Sequence, residues 1–578
     1  MKEVSIREDS IKDFGDRIPL CEYPRPQMTR DSYMCLNGRW AFKFISDGKD
    51  AKDYSILVPY SPESAFSGVG RTLQAHETMC YSRHVCFPED VDFSKERLLL
   101  HFGAVDYRAL VRIDGRQVFE HIGGYLPFSV EVSSREFDLD VMVQDPGDAK
   151  EISRGKQSSE PSGIWYPKTS GIWQTVWMEK VPRTYITGYK VVPDLTGFSI
   201  EVFTNDGHRI PATLSMPGLP PIDLFSGERT RIDVPKPHLW SPENPFLYDF
   251  AITLKTNVLE PSSLCDCVHG YVGLRTFGVG LDEKENNVLK VNGKPYFHHG
   301  LLDQGYYKNG YYTPKSDADF VNDILLAKSM GFNTLRKHIK IEPLRWYYHC
   351  DRLGMLVWQD MVSGGGEYRL GTISLPLVFG SHLKDDRYDL FARTDSHERN
   401  VWETEAYDAV KHLFNVVSLA MWVPFNEGWG QFDSARIVGN IRKLDDTRTI
   451  DHASGWQDQG IGDFKSLHVY FKPYRFHKDR KGRCVILTEF GGYGYDTNTT
   501  AKKGFVYKKC RSKEELTKAI VKLYDRQIIP AKAKGLAAAI YTQLSDVEQE
   551  TNGLVTYDRR EVKVVPSLVL EMSKRLLG

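Results

Sequence analysis

The sequence predicts a multidomain chain: a jelly-roll β-sandwich over 1–181, an immunoglobulin-like β-sandwich over 182–277, and a (β/α)₈ TIM barrel over 278–578. Three observations lead there. The first block breaks into short alternating stretches between turn residues and offers no helix of three turns. The second, opened by Val181-Pro182, has the same texture over the length of one sandwich domain. From about residue 278 apolar strand-like runs alternate with amphipathic helical stretches, the pattern of a parallel sheet.

The elements follow in order. In the first block Leu36-Asn37-Gly38 leads into a strand, and Ala109 to Ile113 alternates before Asp114-Gly115, a hairpin signal. In the second, Pro237 to Pro242 precedes a strand over Tyr248 to Leu254. It lacks a Cys…Trp…Cys spacing, so only the sandwich architecture is predicted. In the third, Pro295 to Leu302 reads as the first barrel strand. Ser316 caps a helix that stops at Gly331. Asn333 to Arg336, Met355 to Gln359 and the stretch Val416 to Trp429 supply strands two to four. Thr449 to His452, Ser466 to Tyr470, Val485 to Thr488 and Ala537 to Gln543 supply the rest. Ser512-Lys513-Glu514-Glu515 is a capping box, and Pro566 to Leu577 the closing helix. The Gly-rich segment from Ser363 to about Thr394 is long enough to be a loop over the barrel rim.

Composition bounds the function. The net charge of −1 leaves no electrostatic footprint for nucleic acid. Eleven Trp and thirty Tyr suit carbohydrate faces. Nine Cys without CxxC spacing indicate neither a zinc site nor a disulfide framework. The opening MKEVSIREDSIKDFGD has no basic region followed by an apolar one, and no membrane span is legible, so a cytoplasmic location is expected. A homo-oligomer is the expected assembly, with small-molecule or oligosaccharide β-glycosides as partners.

The chemistry is concentrated at two strand ends. Val416 to Trp429, VVSLAMWVPFNEGW, is an apolar run that stops in Asn426-Glu427; Cys484 to Glu489, CVILTE, has the same form. A carboxylate ending a doubly buried strand lies at the rim where barrels place their chemistry. Two such glutamates facing one another are the apparatus of glycoside hydrolysis. A carboxyl separation of about 5–5.5 Å predicts retention of configuration, and about 6.5–9.5 Å inversion. Apolar walls and the neighbouring carboxylate are expected to raise the proton affinity of Glu427.

At these residues the chain resembles glycoside hydrolase family 2, which holds β-galactosidases, β-glucuronidases and β-mannosidases. Asn426-Glu427 resembles the family's acid/base motif and Thr488-Glu489-Phe490-Gly491 its nucleophile motif. Ser170-Gly171-Ile172-Trp173 resembles the segment ending the first domain. Asn292-Gly293-Lys294-Pro295 and Gly331 to Arg336 resemble the barrel entry and its second strand. The resemblance implies Glu427 as general acid/base, Glu489 as nucleophile, a retaining mechanism, a terminal β-linked sugar and no cofactor. It also implies Tyr470 as the hydrogen-bond partner of the nucleophile.

Two departures bear on the sugar. Gln174-Thr175 stands where a family galactosidase has Arg-Asp. Glu550-Thr551-Asn552 stands where a family glucuronidase has Asn-x-Lys, so Glu550 opposes a carboxylate placed there. Arg336-Lys337-His338-Ile339-Lys340, at the end of the second strand, offers cations elsewhere, and arginine forks fit carboxylates. The reading is therefore an exo-β-glycosidase for β-galacturonides, with β-galactosidase and then β-glucuronidase as alternatives. A non-catalytic carbohydrate-binding protein is the reading from another class. Asn426 is expected at the sugar's 2-hydroxyl and Asp303 at another hydroxyl. Trp165, beside Tyr166, is expected to reach over the pocket from the first domain, and Trp358 and Trp456 to form a stacking platform. Asp546, Glu548 and Glu550 follow strand eight, but no spacing supports a metal.

Overall fold

A computed structural model describes residues 14–15, 17–46, 49–255, 265–369, 371–372, 382–496 and 504–578. The opening stretch as far as residue 13 and much of the expected rim loop (370 and 373–381) lie outside the described residues.

Residues 34–182 form two facing antiparallel sheets. One has four strands in the order Met34–Cys35, Val176–Pro182, Glu96–Phe102, Phe128–Val132. The other has six and contains the hairpin Arg108–Ile113 to Arg116–Ile122. Its two-residue turn, Asp114-Gly115, holds positive φ at both positions (50° and 76°), which is why this dipeptide signals a hairpin. Alternate residues of both sheets, among them Trp40, Phe42, Leu98, Leu100, Val141 and Met178, fill one apolar core. A second pair of sheets, of three and four strands, encloses Ile200, Leu214, Ile252 and Val268. A short antiparallel sheet, Phe277–Leu281, Asn287–Val291 and Lys294–Pro295, then leads to the barrel.

The barrel strands are β1 His298–Asp303, β2 Thr334–Lys337, β3 Leu356–Asp360, β4 Leu419–Val423, β5 Thr449–Ile450, β6 Phe464–Val469, β7 Cys484–Gly491 and β8 Ala538–Thr542. They pair in parallel in the order β5-β4-β3-β2-β1-β8-β7-β6. Between β5 and β6 a side chain spans the gap: Ser466 Oγ donates to Ala453 O at 3.0 Å and accepts from Gly455 N at 3.3 Å. The interior is apolar below and polar above, and alternation along each strand decides which residues point inward. Leu289, Trp358, Met421, Phe464, Cys484, Ile486 and Ile540 pack together in the lower layers. Four expected strands are shorter than their apolar runs: β1 begins at His298, β4 covers only Leu419–Val423, β5 stops at Ile450 and β8 runs from 538 to 542. Two helices carry no expectation from the sequence. They are α3 Ser396–His412, capped by Asp395, and α4 Ser434–Leu444; α1 Asp317–Ser329, α2 Leu344–Leu353, α5 Lys513–Leu523 and α6 Pro566–Leu577 are the other long helices around the strands.

The segment 147–173 of the first sandwich lies against the barrel rim. Ser153 bridges to Gly364, Arg154 N donates to Ser363 O at 3.0 Å, and Arg154 Nη1 donates to Gly365 O. The two sandwiches share a buried ion network. Arg30 pairs with Asp266 at 2.8 Å and with Glu179 at 2.8 Å, and Glu179 also takes Arg25, Tyr23 Oη and Trp177 Nε1.

Candidate active site

Both glutamates are delivered by local irregularities. After β4 the chain bends so that Asn426 bridges to Ser454, and Glu427 N donates to Ser454 O at 2.9 Å. Glu427 itself sits at φ 52°, a left-handed conformation uncommon for a residue with a Cβ. Glu489 lies within β7 where the pairing with β8 slips between Leu487 and Phe490, and such a bulge re-aims a side chain. A carboxylate oxygen of each glutamate and a ring nitrogen of His468 all lie within 4.8 Å of one another.

Glu489 is held by Arg336 Nη1 at 3.0 Å and by the Tyr470 hydroxyl. Tyr470 also meets Thr542 Oγ1 at 3.0 Å and stacks on Tyr507 at 3.8 Å and 7°. Arg336, wholly buried, forks onto Asp360 (2.9 and 2.9 Å) and donates to Asn426 Oδ1 at 2.8 Å. That bond turns the Asn426 amide nitrogen away from the guanidinium. Burial works against the Arg336 charge, yet the Asp360 and Glu489 carboxylates outweigh it and raise its proton affinity. Burial pushes Asp360 up to about 6, against the pull of Arg336.

Glu427 accepts from His468 Nδ1 at 2.7 Å and Trp429 Nε1 at 3.0 Å. The expected rise in its proton affinity is corrected here. Burial does push it up, but the His468 hydrogen bond and charge, with Trp429 and Lys156, more than cancel that and hold it below the usual carboxylate value. Trp429 continues into an aromatic wall: Trp165 meets it edge-on at 5.4 Å and stacks on Tyr368 at 6.0 Å. Trp165 of the first sandwich thus stands on the acid/base side. Trp456 follows β5, with its ring 6.1 Å from that of His468.

The cation cluster after β2 divides by strand alternation. Arg336 and His338 face the glutamates; His338 Nε2 lies 3.8 Å from Glu489, and burial with nearby cations keeps its ring neutral. Lys337 turns outward to Asp303 and Glu342, at 2.7 Å each, and Lys340 is paired to Glu342 at 2.9 Å. Lys337 and Asp303 therefore neutralise each other behind the barrel wall and do not line a sugar pocket. Trp358 is corrected as well: it is fully buried one layer below Asp360, donating to His298 Nδ1 at 2.9 Å, so it is core and no stacking platform. Glu550, 2 % exposed, accepts from Tyr166 Oη and from Asn552 Nδ2 at 3.0 Å. Lys156 Nζ approaches it at 3.9 Å and lies 5.3 Å over the Tyr166 ring.

Asp546 is taken by Lys563, 2.9 Å away, and Gly553 N, and the glutamate–histidine trio already has Arg336 as its cation; we assign no metal to either group. His468, Trp429, Asp360 and Lys156 carry no expectation from the sequence. His468 alone had a usable signal: it stands two residues before Tyr470 and so shares its face of β6.

The model of the glycosyl hydrolases family 2 TIM barrel domain matches residues 283–563, and that of glycosyl hydrolases family 2 matches 201–275. The chain belongs to glycosyl hydrolases family 2. Curated proteins similar to this chain include the β-glucuronidase of Rattus norvegicus, 24 % identical over 58 % of this chain and 54 % of the relative. That of Streptococcus agalactiae is 24 % identical over 70 % and 68 %. The chain thus spans from about a third to just over two-thirds of the curated relatives it matches. Among solved family 2 structures, the β-galacturonidase from Eisenbergiella tayi bound to galacturonate is similar over 96 % of this chain and 99 % of that one, at 18 % identity and TM-score 0.69. The Ruminococcus gnavus β-glucuronidase covers 96 % and 99 % at 16 % identity and TM-score 0.73.

Proposed function

We propose that the chain is a retaining exo-β-glycosidase acting on terminal β-linked hexuronic acids. The observation that carries the chemistry is the approach of Glu427 and Glu489 oxygens to within 4.8 Å. That approach favours the short carboxyl separation of about 5–5.5 Å that goes with direct attack over the separation of about 6.5–9.5 Å that accommodates a water nucleophile. Glu489 attacks the anomeric carbon as the aglycone departs with a proton from Glu427. Water then cleaves the glycosyl ester while Glu427 takes its proton. Arg336 and Tyr470 stabilise Glu489 whenever it is an anion. Asn426 offers its amide nitrogen to the 2-hydroxyl, a bond that strengthens as positive charge develops on the ring.

The uronate part of the reading rests on the names of the relatives and on Lys156. Arg336, Lys337 and Lys340 are each matched by carboxylates, so they no longer serve as the sugar's counter-charge. Lys156 comes in from the first sandwich close enough to Glu427 to lower its proton affinity, and its nearest carboxylate, at 3.9 Å, is beyond hydrogen-bond reach. Within uronides a galacturonide preference is the finer proposal, because the glucuronidase Asn-x-Lys is replaced by Glu550-Thr551-Asn552. The proximity of Glu550 to Lys156 favours a second reading, a neutral β-galactoside. Nitrophenyl β-galacturonide, β-glucuronide and β-galactoside, assayed side by side with Glu489→Gln, test both parts. Uronide turnover that the variant abolishes is expected. A galactoside cleaved far faster than either uronide overturns the sugar assignment, and substantial activity in the variant overturns the site.

A further inference from the structure

His468 occupies a built slot between the two glutamates. Its Nδ1 lies 2.7 Å from Glu427 Oε1, and its Nε2 is 3.5 Å from Glu489 Oε1 and 3.0 Å from Ser454 Oγ. The ring lies flat against Gly455, where an added Cβ would fall 2.4 Å from its Cγ. The strand-end segment 453–455 therefore both anchors Glu427, through Ser454 O, and cradles this imidazole.

The hydrogen bonds of His468 place a proton beside Glu427. Nδ1 faces the Glu427 carboxylate at 2.7 Å, so a hydrogen lies between the two groups. Ser454 Oγ, which donates to Thr488 Oγ1 at 2.9 Å, is 3.0 Å from Nε2 and keeps lone pairs for it. Charged and titratable groups surround the ring. Glu427 and Glu489 touch it, and Asp451, a carboxyl whose proton affinity burial raises, lies near it at the end of β5. Against these stand Arg336 and the neutral His338 from β2, and Lys156 from the first sandwich.

We propose that His468 is a positioning residue that acts through Glu427 as its proton reservoir: the pair shares one mobile proton, and that proton goes to the aglycone. The inference rests on the glycosidase reading and deepens it. In the first step the C1–O(aglycone) bond breaks, its electron pair leaves with the aglycone oxygen, and that oxygen takes the pair's proton through Glu427. A bond forms between C1 and Glu489, leaving a Glu427 carboxylate beside neutral His468. In the second, water attacks C1, the bond to Glu489 breaks, and the water's proton passes to Glu427 and recharges the pair. The loss of activity on the basic side then reports the pair and not a lone carboxylic acid.

The experiment compares pH profiles of kcat/KM for wild type, His468→Gln and Ser454→Ala. The substrates are a phenyl and a dinitrophenyl glycoside of whichever sugar the panel selects. In His468→Gln the basic limb is expected to move toward acid by about one pH unit or more. At pH 7 the phenyl glycoside should lose about 100-fold, and the dinitrophenyl glycoside, whose leaving group needs no proton, under about 10-fold. Ser454→Ala, which removes the hydroxyl shared by Nε2 and Thr488 Oγ1, should move the limb the same way by less, and it carries the test if His468→Gln does not fold. A basic limb that stays in place in both variants, or equal losses on both substrates, overturns the proposal. Failure of the wild type to cleave any glycoside, or an active Glu489→Gln, overturns the glycosidase reading beneath it; an unmoved limb in an otherwise competent enzyme removes only the role of His468.

Discussion

Lys156 is where the sugar's charge is tested. It sits on the 147–173 segment, on the Glu427 side of the mouth, and has no hydrogen bond to a carboxylate among the described residues. A charged hydrogen bond is worth about 1.5–3 kcal/mol. Lys156→Ala should therefore raise KM roughly 10- to 100-fold for a uronide and change a galactoside little; parallel kinetics on the two sugars check it. Equal losses would place Lys156 in structure alone. The residue scale also shows what composition hides. Arg336 is a strand-end cation in the sequence, but in the fold it is the shared partner of Asp360, Asn426 and Glu489. Its charge holds the nucleophile and is not spare for a ligand.

At the scale of elements, helix α3 carries Glu405 against the first sandwich. Ser153 Oγ donates to one of its oxygens at 2.6 Å, and the Gly124 backbone lies at the carboxylate as well. Burial pushes the Glu405 carboxyl up to about 7 from an ordinary value of 4.5. A folded-state value above the unfolded one favours the native state below pH 4.5. That advantage is lost as the pH rises to about 7. Glu405→Gln keeps the acceptor for Ser153 and removes the charge. It should match wild type at pH 4.5 and exceed it above pH 7 by about 3 kcal/mol, as read by denaturant unfolding at both pH values. No gain at pH 8 would mean that water reaches the carboxylate. Helix α3 itself had no clear signal in the sequence, because its buried face is formed by a few residues, Trp402, Ala406, Ala409 and Val410, amid many polar ones. Strand β2 was legible as a strand, but the direction of each side chain depends on a register that only its neighbours β1 and β3 set.

At the scale of the molecule, the ion network of Arg30, Glu179 and Asp266 joins the two sandwiches in a dry environment. Removing one partner from such a network leaves uncompensated buried charge, at about 3–5 kcal/mol. Arg30→Met should lower the unfolding free energy by about that amount and open the junction between the sandwiches to limited proteolysis. Unchanged proteolysis would show that apolar packing alone joins them. The mouth of the pocket is likewise a property of the whole chain. Trp165, Tyr166 and Lys156 reach the barrel rim from a separate sandwich, hundreds of residues from Glu427, Tyr507 and Glu550.

The chain alone determined the order of architectures, the apolar strands and the two glutamates that end them. Those are periodicities and local patterns, and burial of an apolar run leaves little choice about what it becomes. The tertiary structure decided which polar groups surround each glutamate, that Arg336 serves Glu489, that Lys337 and Asp303 cancel each other behind the wall, that Trp358 is core, and that an imidazole stands between the two carboxylates. Those outcomes depend on pairing register and on packing between distant segments. Electrostatic energy in a dry site is set by distances of a few ångströms, which linear order does not contain.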